Sequence, residues 1–241
     1  MTRVPRLTEA HVRAVHREVA DPGAWPGLDH FTAAQYDAHL AAFLEDRPEG
    51  PVGVFAYGSL IWRPVFEPAA EIRATAPGWH RAFSLRQKRF RGTPDRPGLM
   101  MQIDRGGTCD GVLQVVPEGR EWAILSDLWR REMTVRPPSY LPRWIDLRVE
   151  GEEGPRRALA FTANPESPNY AGPLPPEEVA DCLSQACGHW GSGAAYLLET
   201  VLALQRHGVR DPYLWDLQDR VAALIESRHP LAGGGASAPR P

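Results

Sequence analysis

The sequence predicts an α+β fold, with a mixed, mostly antiparallel sheet closed into a small barrel and flanked by helices. The chain has 241 residues, of which 43% are hydrophobic and 24% charged, as in an ordinary globular protein. Strand-like segments cluster between residues 52 and 162, with helical segments on both sides, which favours an α+β rather than a doubly wound arrangement. Hairpin-length connections within 71–116 favour antiparallel pairing there.

Two helices are predicted before the first strand. Apolar residues in 7–20 recur with partial helical spacing, and prolines and glycines in 21–31 predict a loop. The second helix is predicted over 32–46, because the Thr32 hydroxyl can cap its start while Gln35 completes a capping box.

The middle of the chain predicts strands interrupted by one helix, at 119–133. The run 52–56 is short, apolar and bounded by turn residues, which is typical of a buried strand. The other strands are predicted over 71–76, 80–89, 99–104, 109–116, 142–149 and 156–162. Helices then follow from Pro175 and over 193–207 and 213–227.

Composition excludes several classes of function. Lys and Arg total 27 against 30 Asp and Glu, which argues against nucleic acid or an anionic membrane as partner. Lys88 is the single lysine and no glycine-rich loop precedes it, which removes the P-loop class. Three cysteines without a Cys-x-x-Cys pattern indicate neither a disulfide framework nor a thiolate zinc site. With no long apolar run, the expected compartment is the cytoplasm of a bacterium.

The segment after the first predicted strand is a candidate binding turn. Gly58 can adopt backbone angles closed to other residues, so a turn here can direct successive N–H groups at one anion. Ser59 adds a hydroxyl donor. The alternative is a tight turn that packs Tyr57 and Trp62, and spacing alone favours this alternative.

Glu132 is a candidate general base at the end of a predicted helix. A carboxylate there lies against the negative end of the helix dipole, which disfavours its charged form. If it is also buried, its pKa rises towards the range that a base needs near neutral pH. The alternative is a surface glutamate paired with Arg130, Arg131 or Arg136, which the residue types alone favour.

The segment 91–98 is a second loop of interest, with Arg91 and Arg96 among prolines and glycines. One interpretation is a rim that carries arginines towards an anionic ligand. The other is a solvated turn.

The run 54–62, Val-Phe-Ala-Tyr-Gly-Ser-Leu-Ile-Trp, closely resembles the signature of the ChaC-type γ-glutamylcyclotransferases, in their bacterial branch. Together with further blocks in the family's order, the resemblance covers about residues 50–225. Any one block is moderately specific, and all of them in this order are strongly specific. The further blocks are 78–83, 91–93 with 97–98, 128–133, 140–142, 169–170 with 172–173, and 191 with 196–198.

The resemblance implies a γ-glutamylcyclotransferase-like fold and cleavage of glutathione to 5-oxoproline and Cys-Gly. The substrate's own α-amine would attack its γ-carbonyl, so no metal or cofactor is needed. Glu132 would act as general acid and base. The turn formed by Tyr57, Gly58, Ser59 and Leu60 would hold the α-carboxylate or the developing oxyanion through backbone N–H groups, and Tyr196 would line the pocket. For Arg81 a structural role is favoured over a contact to the glycine carboxylate.

Two other functions stay open. The chain could be a cyclotransferase for other γ-glutamyl amines or amino acids, or a non-catalytic regulator that binds a γ-glutamyl ligand. Glu132, present in its matching block, argues against an inactive protein. Two residues depart from the family pattern, with Ala56 where the family usually has Gly and Gly193 where it often has Asn.

The predicted organisation has three parts. A γ-glutamylcyclotransferase catalytic domain is expected over 51–228. An N-terminal helical extension of 1–50 precedes it, as in bacterial members of the family. The tail 229–241 is rich in Gly, Ala, Ser and Pro and is expected to be disordered.

Overall fold

Five strands close into a barrel in the computed structural model, which describes residues 3–23 and 29–230. They are β1 (Gly53–Ala56), β2 (Ala70–Gln87), β3 (Gly98–Val115), β4 (Tyr140–Val149) and β5 (Pro155–Ala163). Their order around the barrel is β1-β3-β2-β4-β5. β1 and β5 pair in parallel, whereas the other neighbours pair antiparallel. The predicted α+β class with a mixed, mostly antiparallel closed sheet is therefore confirmed.

Helices precede the barrel strands, lie between them and follow them along the chain. Those before and between the strands are α1 (Glu9–Val15), α2 (Ala33–Glu45), α3 (Ser59–Trp62) and α4 (Glu121–Glu132). Those after β5 are α5 (Pro176–Leu183), α6 (Gly193–Arg206) and α7 (Pro212–Arg228). A short hairpin, β6 (Cys187–Gly188) and β7 (Gly191–Ser192), precedes α6. Within the described ranges, no helix is both long and apolar enough to cross a membrane.

β2 and β3 form one long hairpin in the segment where the sequence predicted four separate strands. The sequence predicted breaks near Gly78 and near Gly106, but pairing continues past both positions. Gly78 has a φ of 79°, and the register shifts between Pro77 and Trp79. The turn-forming residues therefore make a bulge inside one long hairpin, which bends the strands as barrel closure requires.

The first helix is shorter than the predicted 7–20, because the chain becomes extended at His16, with φ of −67° and ψ of 137°. The following segment makes tertiary contacts instead. Arg17 Nη2 donates to the carbonyl of Gln185 over 2.8 Å, and Asp21 pairs with Arg89. We infer that these contacts stabilise the extended conformation of the segment more than its partial helical spacing stabilises a helix. Part of the predicted loop, 24–28, lies outside the described residues, as does nearly all of the predicted tail.

The second helix begins as predicted. Gln35 N–H donates to the Thr32 hydroxyl over 3.3 Å, and Thr32 N–H donates to Gln35 Oε1 over 2.8 Å. The helix packs against the rest of the fold through Phe43, whose ring stacks on Trp144 with centroids 4.7 Å apart. Leu40 is also fully buried, so this part of the N-terminal segment shares the core of the barrel.

Candidate active site

The candidate binding turn lies where β1 leaves the barrel. β1 ends at Ala56, and after Tyr57 and Gly58 the chain enters α3, a single helical turn where only a turn was predicted. A Cβ on Gly58 would lie 2.7 Å from the Tyr196 hydroxyl oxygen, a separation that real Cβ atoms do not show. Gly58 therefore lets α6 bring Tyr196 directly against the turn.

The side chain of Tyr57 is part of the barrel core. Its hydroxyl donates to the carbonyl of Phe161 over 2.6 Å, and burial raises the pKa of this tyrosine well above its ordinary value. Its own carbonyl accepts from Arg81 Nε over 2.8 Å. Tyr57 thus fixes the start of the turn through both its side chain and its carbonyl.

Arg81 has the structural role that the sequence analysis favoured. Its guanidinium is almost completely buried and pairs with Asp211, at 2.5 Å between Nη1 and Oδ2. Its other donors reach the carbonyls of Tyr57 and Asp110. All these partners belong to the protein, so Arg81 joins the turn to β3 and to the start of α7.

Glu132 is the last residue of α4, as predicted. Only 15% of its side chain is exposed, and Arg131 Nε lies 3.2 Å from its Oε1. Burial raises the pKa of Glu132, and the charge of Arg131 partly opposes this rise. The alternative of a surface glutamate is therefore wrong, because the side chain is buried. The pairing with Arg131 that this alternative included is present.

Arg131 connects the candidate base to the candidate binding turn. Besides Glu132, it donates to the Ser59 hydroxyl over 3.1 Å through Nη2 and to the carbonyl of Arg63 over 2.7 Å through Nη1. One guanidinium thus spans both ends of α3 and the end of α4. Sequence reasoning treated Arg131 only as a possible surface partner.

Besides Tyr57, two more tyrosines lie around Glu132. Tyr196 is buried, and burial raises its pKa to about 12, opposed by Arg91 and by hydrogen bonding from Ser59. Tyr140, which was not among the predicted site residues, donates to the carbonyl of Met101 over 3.1 Å. Burial raises the pKa of Tyr140 well above its ordinary value, and the charge of Glu132 adds to the rise. Both hydroxyls therefore stay protonated near neutral pH.

The two departures from the family pattern have local explanations. Ala56 lies in β1 without a positive φ, so alanine costs no backbone strain there. A Cβ on Gly193 would lie 2.8 Å from Leu183 Cδ2 and 3.0 Å from Leu183 Cα. Gly193 thus allows α5 and α6 to approach closely, and asparagine would not fit this packing without a shift.

The two arginines of the 91–98 loop differ. Arg91 is buried beside Tyr196, whereas Arg96 is exposed and donates to Gln185 Oε1 over 2.9 Å. The solvated-turn interpretation fits Arg96 and is wrong for Arg91, because Arg91 is buried. The rim interpretation stays a prediction for Arg91.

No group of three metal-binding side chains comes together in residues 3–23 or 29–230. Surface cavities of about 430 and 490 Å³ adjoin Arg210, but Glu132, Ser59 and Tyr196 line neither of them. The candidate site is instead a compact cluster in which Arg131 and Tyr196 cover the turn.

Comparison with known proteins gives the family. The model described as "ChaC-like protein" matches residues 52–224. The glutathione-specific gamma-glutamylcyclotransferase of Escherichia coli K12 is 37% identical over 201 residues, which cover 83% of this chain and 86% of that protein. The human glutathione-specific gamma-glutamylcyclotransferase 1 is 28% identical over 181 residues, covering 71% of this chain and 79% of that protein.

Among solved structures, a gamma-glutamylcyclotransferase specific to glutathione from yeast matches with a TM-score of 0.65. It is 18% identical, and the match covers 73% of this chain and 97% of the yeast chain. At this identity the match bears on the fold, which agrees with the closed barrel described above. The family model and the E. coli relative together establish that this chain belongs to the ChaC-like family.

Proposed function

We propose that this protein is an enzyme that cleaves glutathione to 5-oxoproline and Cys-Gly. The observation that carries the proposal is the buried carboxylate of Glu132, joined through Arg131 to Ser59 of the binding turn. This arrangement puts a base with a raised pKa beside donors for a substrate carboxylate. The similarity to relatives named as glutathione-specific cyclotransferases supports the choice of substrate.

The proposed reaction uses the substrate as its own nucleophile. Glu132 accepts a proton from the α-ammonium of the glutamyl residue, and the resulting amine attacks the γ-carbonyl carbon to form the ring C–N bond. The bond between that carbon and the cysteine nitrogen then breaks as the C=O bond re-forms, and Glu132 returns its proton to the departing nitrogen. The ring nitrogen gives up its second proton to the released Cys-Gly amine, which leaves the neutral lactam of 5-oxoproline and Cys-Gly as its ammonium form. A well-oriented intramolecular attack can remove about 7–11 kcal/mol of the barrier, so holding the glutamyl arm folded is the main task of the protein.

The binding turn supplies the proposed orientation. The backbone N–H groups of Gly58, Ser59 and Leu60 would hold the α-carboxylate or stabilise the oxyanion that develops on the γ-carbonyl. Tyr196 would close the pocket from α6, with its protonated hydroxyl against Gly58. A ligand held this way needs neither an enzyme nucleophile nor a bound cofactor.

We further propose a catalytic domain over 51–228 with an N-terminal extension of 1–50, which the family match over 52–224 supports. A reducing compartment such as the cytoplasm fits the three cysteines, all of which are free thiols.

One assay separates the candidate functions. The protein is incubated with glutathione, γ-Glu-Ala and γ-glutamyl-lysine, and 5-oxoproline is measured. We expect rapid release from glutathione and little from the other two substrates. Preferential release from γ-Glu-Ala or γ-glutamyl-lysine would favour the broader cyclotransferase, and no release from any of them would leave a γ-glutamyl-binding regulator.

Arg131→Gln should shift the acidic limb of the pH profile of kcat/KM to higher pH. Glu132 must be ionised to accept the proton, and activity is lost as pH falls through its pKa. Of the groups that face Glu132, Tyr57, Tyr140 and Tyr196 are neutral and Arg131 is the cation that favours the ionised form. Without that cation, protonation persists to higher pH.

The pH profiles of Arg131→Lys and Arg130→Gln provide the controls. Arg131→Lys keeps the positive charge, so the acidic limb of its profile should lie close to that of the unmodified protein. Arg130 is next in the chain but pairs at the surface with Asp37 and Asp127, at 3.8 and 3.7 Å, so its loss should leave the profile in place. An unshifted limb in Arg131→Gln would remove Arg131 from this role.

A further inference from the structure

We propose that Arg91 binds the C-terminal carboxylate of the departing dipeptide and thereby selects γ-glutamyl peptides of the length of glutathione. The inference rests on the proposed function and extends it to a residue that the reaction itself leaves unused. It also gives the arginine-bearing loop 91–98 a defined ligand.

Arg91 is a buried cation that forms no salt bridge with any residue of 3–23 or 29–230. Arg81 and Arg91 are the arginines buried in the described part of the chain, and Arg81 pairs with Asp211. Arg91 has no carboxylate within salt-bridge distance among the described residues, and its hydrogen bond goes to the carbonyl of Ser192 over 3.0 Å. The exposed Glu199 acts on Arg91 only from beyond that distance, and burying a charge without a close counter-charge is costly, which favours a bound anion as the missing partner.

The remaining donors of Arg91 are not sealed inside the protein. A guanidinium has five N–H donors, and Ser192 accounts for one contact. None of the Arg91 nitrogens is both sealed from solvent and without a partner. The aromatic rings of Trp62 and Tyr196, with centroids 5.7 and 5.2 Å from Cζ, pack against the group through cation–π contacts that use none of its N–H donors.

The backbone around Arg91 is fixed by close contacts. The preceding residue, Phe90, has a φ of 58°, which is rare for a non-glycine residue, and its carbonyl accepts from Trp190 N–H over 2.7 Å. A Cβ on Gly92 would lie 2.2 Å from the Gly98 nitrogen, and one on Gly188 would lie 2.3 Å from the Phe90 carbonyl oxygen. The structure thus accepts a strained residue and two tight approaches to hold Arg91 in place, as is common at ligand sites.

Tyr196 connects Arg91 to the binding turn. Its ring centroid lies 5.2 Å from Arg91 Cζ, and its hydroxyl lies against Gly58, next to the Ser59 that Arg131 joins to Glu132. The reacting γ-carbonyl belongs beside Glu132, and two residues of extended chain reach about 7 Å from it. The proposal places the Cys-Gly unit along Tyr196, with its carboxylate at Arg91.

The chemistry of the ligand agrees with this position. Glutathione carries two carboxylates, and the proposed function assigns the α-carboxylate to the binding turn. The glycine carboxylate is still without a partner, and the planar fork of an arginine matches a carboxylate with two parallel hydrogen bonds.

The test compares glutathione with its glycine amide, which lacks this negative charge. For the unmodified protein we expect kcat/KM for glutathione to exceed that for the amide about ten- to a hundredfold, as loss of a charge-assisted contact predicts. In Arg91→Gln we expect kcat/KM for glutathione to fall by that factor and kcat/KM for the amide to stay nearly the same. The variant should therefore turn over the two substrates with similar kcat/KM. No turnover of either substrate by the unmodified protein would contradict the proposed function itself.

Two further variants make the result specific. Arg96→Gln removes an exposed arginine of the same loop and should keep the full preference for glutathione. Arg91→Lys keeps the positive charge but lacks the planar guanidinium, so it should keep part of the preference for glutathione. Equal kcat/KM values for the two substrates in the unmodified protein would overturn the proposal whether or not the variants fold. An undiminished preference in folded Arg91→Gln would overturn it too.

Discussion

Glu132→Gln should fold normally and lose nearly all formation of 5-oxoproline from glutathione. Glutamine keeps the shape of the side chain but cannot accept the proton of the α-ammonium or return one to the departing amine. General acid–base catalysis contributes about 10²- to 10⁴-fold, and the loss of kcat should fall in that range. Saturating glutathione and a direct measurement of 5-oxoproline give the rate.

The same substitution should not destabilise the protein at neutral or alkaline pH. Burial raises the pKa of Glu132 in the folded protein, so the folded state binds its proton more tightly than the unfolded chain does. Between the ordinary and the raised pKa, stability therefore falls as pH rises, and this penalty is complete above the raised pKa. Glutamine has no such penalty, so urea unfolding above that range should show Glu132→Gln at least as stable as the unmodified protein.

Glu121→Gln is the matched control, because Glu121 begins the helix that Glu132 ends. This variant should keep full activity. If Glu132→Gln kept even a tenth of the unmodified rate, Glu132 would not be the essential base, and the proposed proton transfers would need another carrier.

The sequence predicts local features of the site well. The capping pair of Thr32 and Gln35, the end of a helix at Glu132 and the turn at Gly58 each depend on neighbouring residues, and the structure has each of them. Signals of this kind are local, because caps and turns are set within about one helical turn.

The long-range relations of the site could not be predicted in the same way. The contact between Arg131 and Ser59 joins residues 72 positions apart, and burial of Arg91 depends on Trp62 and Tyr196 from other elements. A single sequence contains no signal for such pairings. The one available hint was the number of arginines near the matched blocks, which does not say which of them is buried.

The breaks predicted at Gly78 and Gly106 failed for a related reason. Glycine with a positive φ serves a turn and a bulge equally well, and only the partner strand decides between them. Here Trp79 pairs with Arg105 just past the bulge, so the hairpin continues.

Arg81→Met should lower the free energy of unfolding by about 3–5 kcal/mol, the usual cost of breaking a buried ion pair from one side. Methionine fills much of the space but leaves Asp211 without its partner and the carbonyls of Tyr57 and Asp110 without their donor. Because Tyr57 begins the binding turn, cyclotransferase activity should fall as well. Urea unfolding followed by tryptophan fluorescence gives the free energy, provided that the m-value is unchanged.

The contrast with a surface pair shows why burial decides the size of this effect. Arg220 and Asp216 are also in contact, at 2.6 Å on α7, but about half of each side chain is exposed to water. Solvent replaces that interaction when it is lost, so Arg220→Met should leave the unfolding midpoint in place. Asp211→Asn leaves Arg81 as the unpaired buried charge and should be destabilising, whereas Arg81→Met combined with Asp211→Asn should recover part of the loss. A change below about 1 kcal/mol in Arg81→Met would mean that water reaches this pair, and that the binding turn is held by other contacts.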